Sequence, residues 1–343
     1  MRPTFHLSQY VFCVLLIGIT VSSCEQLDQN QTANAVAPII KQIDAETTSS
    51  EYTQTARTVY TYDGSKKLTR MDHAILKKYR NNPLQTSFSV TTDYVYGPGE
   101  YVLSTTTRSV DQPSGTGVGV KPPVERTTTT TYAYTDGRLT SYSVVETGFN
   151  GLVTTRTSAY AYSDALEQVQ QTEQSGGGFS RIYTYKKGVL TDYLERNGTA
   201  ETRPWTLANG VITTMTIPGG LVVRYSYDDQ LRPTRLDEFV NGKQTRYTVW
   251  TNDAMKPGTE AQPVPKGFPV LQPPFGRLGV QTSEKLYFIN EQNAQTQFFH
   301  DTQATNQANA QGFVSRRTIV SRAQNPQTLP QSTTTTETYT YGQ

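Results

Sequence analysis

The residues of this 343-residue chain best suited to meet a ligand are its tyrosines, 22 in number and repeatedly paired as Tyr-x-Tyr. Tyr132/Tyr134, Tyr160/Tyr162, Tyr183/Tyr185 and Tyr225/Tyr227 fall in "YAY", "YAY", "YTY" and "YSY". A phenol offers a flat apolar face and a hydroxyl, which suits stacking on a sugar or burial in an interface. Two tyrosines spaced by one residue on a strand also share a face, where they suit cross-strand ladders that hold a sheet together. Both readings stand at this point, with these eight residues as the candidate ligand-stacking set.

Other chemistry is sparse. His6 lies in the N-terminal leader, and His73 and His300 are far apart in sequence, so neither a metal-ligand spacing nor a base beside a nucleophile is visible. "GTGVG" at 115–119 sits between Pro113 and Pro122-Pro123, without the strand-to-helix context of a phosphate loop. Asp228-Asp229 and Asp237-Glu238 are adjacent carboxylates. Neighbours on a strand point to opposite faces, whereas a glycosidase pair must converge on one cleft. The expectation is a chain with no catalytic residue, no metal and no cofactor.

The elements that position the tyrosines follow from the turns. Between about 125 and 250 turn signals recur at Asp136-Gly137, Asn150-Gly151, Lys187-Gly188, Asn197-Gly198, Asn209-Gly210, Pro218-Gly219-Gly220 and Asn241-Gly242, among others. Asn-Gly and Asp-Gly supply the positive φ angles of tight hairpins. Alternate turns follow an aromatic-x-aromatic ending, and the rest are Gly-rich, so the tyrosine pairs line up at one end of the sheet. Arg156 and Arg181 fall on the tyrosine face by parity, and Arg224 and Arg246 on the other. The fold expected is all-β: a large antiparallel up-and-down meander of roughly fifteen strands, curled or barrel-like. A final "TTTTETYTY" suggests a last strand that pairs within the same sheet, with an early strand as one partner open to it.

The organisation expected is a leader at 1–23, a polar linker at 24–51, and one β domain at 52–343 with a Pro-rich insertion at about 255–279. In the leader, Arg2 precedes the short apolar run "VFCVLLIGITV", which ends at "VSSC". This resembles the lipobox of bacterial lipoproteins, which implies cleavage before Cys24 and acylation of that residue. Cys13 leaves with the leader, so Cys24 is the one thiol of the mature chain. Lys and Arg number 31 and Asp and Glu 29, which argues against a nucleic-acid surface.

"YAYTDGRLT" at Tyr132–Thr140, with looser copies in "YTYDGSKKLT" and "YSYDDQLRPT", resembles the YD repeats of RHS-type proteins. With the lipobox, the chain resembles envelope lipoproteins of Gram-negative, Bacteroidota-type bacteria that carry degenerate repeats of this kind. The resemblance covers roughly residues 52–250 and the last ten. It implies a non-catalytic protein at the outer membrane, periplasmic or surface-exposed, that binds a carbohydrate or an envelope protein. A structural or assembly component of the envelope and a polysaccharide-acting enzyme are the alternatives. Cys24→Ser is expected to abolish palmitate labelling and release the protein from the membrane fraction. Unchanged retention would refute the anchor.

Overall fold

The computed structural model describes residues 39–80, 85–114, 123–148, 151–163, 168–254, 266–269, 271, 273–275, 280–289, 296–323 and 331–342. Cys24 and residues 25–38 of the expected linker lie outside them, as do the loop 115–122 and residues 255–265. The strands begin with β1 (Ile39–Ser49), β2 (Tyr52–Tyr62), β3 (Leu68–Tyr79), β4 (Gln85–Tyr96) and β5 (Val102–Ser114). They continue with β6 (Val124–Thr135), β7 (Arg138–Thr147), β8 (Val153–Tyr162), β9 (Gln168–Ser175), β10 (Phe179–Lys186) and β11 (Val189–Asn197). Next come β12 (Ala200–Thr202), β13 (Trp205–Ala208), β14 (Val211–Ile217), β15 (Leu221–Tyr227) and β16 (Pro233–Val240). The last are β17 (Lys243–Asp253), β18 (Val280–Ile289), β19 (Thr296–Ala308), β20 (Val314–Ala323) and β21 (Gln331–Gly342).

These strands form one antiparallel up-and-down sheet, as the turn spacing predicts, with 21 strands rather than fifteen. Each strand pairs with its sequence neighbour except β12 with β13, and β21 returns to pair with β1. The terminal "TTTTETYTY" thus lies against the first strand, with Tyr339 opposite Ile43. The linker boundary at 51 needs correction, because β1 is an interior strand between β2 and β21. Its Thr, Glu and Gln content reads as polar linker, yet Ile40 and Ile43 pack into the core beside Tyr60 and Tyr341.

The connectivity dictates a curl. The ladder runs from β13 through β21 to β1 and on to β12, so β12 and β13 are its two edges. Laid flat, twenty strand spacings would separate those edges by about 96 Å. Only Arg203 and Pro204 join them, which allows about 11 Å. The sheet therefore bends round until its edges meet, and no ladder closes the seam between them. A ring of this many strands is wider than its own side chains can fill. The most complete apolar burial accordingly forms a belt near one end, with Ile40, Val102, Leu139, Leu190, Ile212 and Val314 each at most 2% exposed.

The repeated Tyr-x-Tyr unit and its turn encode that belt. At Asp136-Gly137, φ angles of 50° and 76° make the two-residue hairpin that the sequence predicts, and Asn209-Gly210 repeats it at 52° and 79°. Where the turn is longer, Asp or Asn organises it. The Asp63 carboxylate accepts the Ser65 and Lys67 amides, Asp228 accepts Gln230 and Arg232, and Asn309 accepts Gln311 and Phe313. Just inside the turn, the ladder slips by one residue at the middle of the aromatic pair, as between Thr61 and Tyr62, Ala133 and Tyr134, or Thr184 and Tyr185. The extra residue on the returning strand is the Thr of "Leu-Thr". Its hydroxyl donates to the carbonyl opposite: Thr69 to Thr61, Thr140 to Ala133, Thr191 to Thr184 and Thr213 to Thr206. Each such bulge adds local twist and bends the strand, which helps a wide sheet to curl.

The second tyrosine of the pair closes the unit. Its hydroxyl crosses to the preceding strand and donates to the carbonyl of the aliphatic residue at that strand's start. Tyr62 donates to Ile40 at 2.8 Å, Tyr96 to Leu68 at 2.9 Å and Tyr134 to Val102 at 2.9 Å. Tyr162 donates to Leu139 at 2.7 Å, Tyr227 to Ile212 at 2.7 Å and Tyr341 to Val314 at 2.5 Å. Urea unfolding checks the ranking this implies. Leu139→Ala empties a fully buried site and is expected to cost about 2–5 kcal/mol. Tyr162→Phe removes one hydrogen bond and is expected to cost about 1 kcal/mol, with Thr140→Val no larger.

Candidate functional site

The described part of the Pro-rich excursion lies across the tyrosine face at the belt. The Leu139 amide donates to the Gly267 carbonyl and the Ile212 amide to the Pro274 carbonyl, both at 2.8 Å. Phe268 packs on the rings of Tyr132 and Tyr134, at centroid distances of 5.3 and 6.4 Å. Leu271 joins the cluster of Val169, Tyr185 and Leu190, and Phe275 meets Trp205 and Tyr225. A segment that touches β6 and β15 from one side marks that side as concave. It forms a floor at the aromatic end of the ring.

The candidate stacking tyrosines separate into two groups. Tyr134, Tyr162 and Tyr227 hold main-chain carbonyls through their hydroxyls, and Tyr185 is 4% exposed. Tyr132, Tyr160, Tyr183 and Tyr225 are half-buried, and their rings meet other rings: Tyr132 and Tyr160 each meet Tyr142, Tyr183 meets Tyr193, and Tyr225 meets Tyr227. Burial raises the phenol pKa of Tyr160, Tyr183 and Tyr185 and pushes Tyr225 up to about 12. The structure therefore gathers the eight along one belt and uses their faces for packing.

Above the floor, the same face carries charge. Glu173, Arg181 and Glu195 are direct partners across β9, β10 and β11 and so lie in a row on the tyrosine face. The Tyr193 hydroxyl donates to Glu195 at 2.6 Å, and Gln171 donates to Glu173 at 3.2 Å. Arg181 lies 3.7 Å from Glu195, and Arg156 is exposed on the neighbouring strand. Burial pushes the Glu173 carboxyl above its ordinary pKa, opposed by the charge of Arg181. A carboxylate, guanidinium, carboxylate row flanked by phenols can hydrogen-bond a polyhydroxylated or zwitterionic ligand through both donors and acceptors. The signal in sequence is parity: Glu173, Arg181 and Glu195 all keep step with Tyr183 and Tyr193.

The remaining candidates fall apart. Asp237 bonds Arg235 on the convex face while Glu238 pairs with Arg246 on the concave one, so the two adjacent carboxylates diverge as expected. Arg246 itself is a correction. The ladder slips between Glu238 and Phe239, with Thr245 as the extra residue, and this reverses the parity that had placed Arg246 on the convex side. His73 bonds Thr58 through Nδ1 at 2.8 Å, and His300 lies 4.0 Å from Glu284, which accepts from Trp250. Among the described residues no group of three or more His, Cys, Asp or Glu could hold a metal ion.

The raised Glu173 pKa has a definite sign. The folded state holds that proton more tightly than the unfolded chain, so its favourable contribution is complete below the unfolded pKa and is lost as pH rises through the folded one. Glu173→Gln is therefore expected to be near neutral at pH 4 and increasingly stabilising towards pH 7. Urea midpoints measured across that range check it, and a constant difference would contradict the assignment.

The chain matches no protein-family model and no curated protein sequence. Among solved structures, it is similar to the crystal structure of a porin-like protein from Bacteroides uniformis ATCC 8492. That likeness has a TM-score of 0.37 and 13% sequence identity, and covers 88% of this chain and 96% of that one.

Proposed function

We propose that the chain is a lipid-anchored, non-catalytic protein of the Gram-negative cell envelope that binds a glycan on the concave face of its curled meander. A protein partner on the same face is the other outcome. The observation that carries this reading is the Glu173–Arg181–Glu195 row with Arg156 beside it, set on a face too wide for the protein to fill itself. Supporting it are the lipobox-like "VSSC" ending at Cys24 and the YD-like repeats. The reading assigns no catalytic step, because Arg181 stands between the two carboxylates and is the cross-strand partner of both. Nucleic acid is not among the partners, given the near-neutral charge.

The hydrogen bonds that engage six tyrosine hydroxyls favour a second reading, a structural or assembly component of the envelope. It is sunk by a deletion strain with intact envelope integrity and no co-purifying partner. For the binding reading, the Cys24→Ser chain is to be tested on an oligosaccharide array and in a pull-down from envelope extract. Arg181→Met and Glu195→Gln are expected to weaken whatever binding is found by at least tenfold. Two empty screens would sink it.

A further inference from the structure

The seam between the sheet's edges differs from every other strand junction. β4 and β5 share twelve paired positions, whereas β12 holds β11 through three and β13 holds β14 through four. Pro204, between β12 and β13, has no N–H to contribute to a ladder. At this point the segment 200–208 changes partner, from β11 to β14, and no ladder joins β11 to β13. Side chains bridge that gap instead. The rings of Tyr193 and Trp205 stack at 3.4 Å with an interplanar angle of 11°, and Arg203 reaches Asp192 at 3.2 Å. Leu207 packs into the cluster of Val169, Tyr185 and Leu190.

The Pro-rich floor spans the same gap from inside. Leu271 packs on the β9–β11 side, while Phe275 packs on Trp205 and Tyr225, and the Pro274 carbonyl accepts the Ile212 amide on the β13–β15 side. Its described residues touch both sides of the slit. Bonds of side chains and one strap thus do the work that main-chain ladders do elsewhere in the ring.

We propose that the ring opens laterally here: β11 and β13 part from the aromatic end, with Arg203–Pro204 as the hinge and the contacts of Leu271 and Phe275 as the latch. β12 stays paired to β11 and β13 to β14, so the hinge remains covalent and the rest of the sheet keeps its ladders. Opening gives a side entrance to the concave face next to the Glu173–Arg181–Glu195 row. A long ligand then reaches that row without threading the ring. The device depends only on the seam, and stands whether or not a glycan is the ligand.

Distance measurements between spin labels test it in the chain carrying Cys13→Ser and Cys24→Ser, which has no other cysteine. One label pair, Val189→Cys with Ala208→Cys, spans the seam at exposed positions of β11 and β13. The control, Ala133→Cys with Ala159→Cys, spans the laddered strands β6 to β8. The seam pair is expected to show two distance populations and the control one. Phe275→Ala, which unlatches, and the milder Arg203→Gln, which breaks the ion pair with Asp192, are each expected to raise the longer population at least twofold. A single seam population that neither variant shifts overturns the proposal. So does a control pair as heterogeneous as the seam, because opening would then not be localised.

Discussion

The hydrogen bond from the second tyrosine of a pair to a main-chain carbonyl on the preceding strand, made by six of these tyrosines, is the interaction on which the rest of this protein depends. A ring of 21 strands cannot fill its own interior, so it cannot be held by a central core of the usual kind. Its apolar burial must be found along one edge. There the aliphatic residue that opens one strand lies under the tyrosine that ends the next, and the phenol hydroxyl satisfies the carbonyl that this crossing would otherwise strand. Tyr134 over Val102, and Tyr162 over Leu139, are the same joint built twice. At Tyr62 and Tyr134 the joint comes with a bulge and a threonine hydroxyl on the freed carbonyl, so there the element that buries apolar surface also bends the sheet.

This economy leaves the concave face free. Tyrosines elsewhere in proteins often serve as exposed stacking surfaces, but here their hydroxyls and ring faces are largely spent on the belt. What remains available is charge: Arg156, Glu173, Arg181 and Glu195, and further round Glu238 with Arg246. Paired ions on a hydrated wall contribute little to stability, since water screens them.

Much of this was legible in the sequence because the repeated unit is local. Turn, bulge, threonine and tyrosine lie within about ten residues, so Tyr132–Thr140 alone specifies a hairpin and the end at which it lies. Three features escaped because their causes are not local. β1 reads as linker, since Thr, Glu and Gln mask the two isoleucines that matter and the strand's identity comes from pairing with β21. Arg246 changes face because one inserted residue, Thr245, reverses the parity of the rest of β17. The Pro-rich segment reads as an excursion, and only its contacts with Leu139 and Ile212, far away in sequence, make it a floor.

The termini of the sheet connect these points. Ile39 and Gly342 are cross-strand partners, and both lie at the aromatic end beside the floor. An acyl anchor at Cys24 would join the sheet through fifteen residue steps, reaching about 50 Å when fully extended. The lipid would therefore tether the end that is plugged. The Gly-rich turns lie at the opposite end of strands about 36 Å long, so a tether of that reach would let either end meet the membrane. The anchor's point of attachment and the floor thus share one end, and the Glu173–Arg181–Glu195 row lies between that end and the Gly-rich turns.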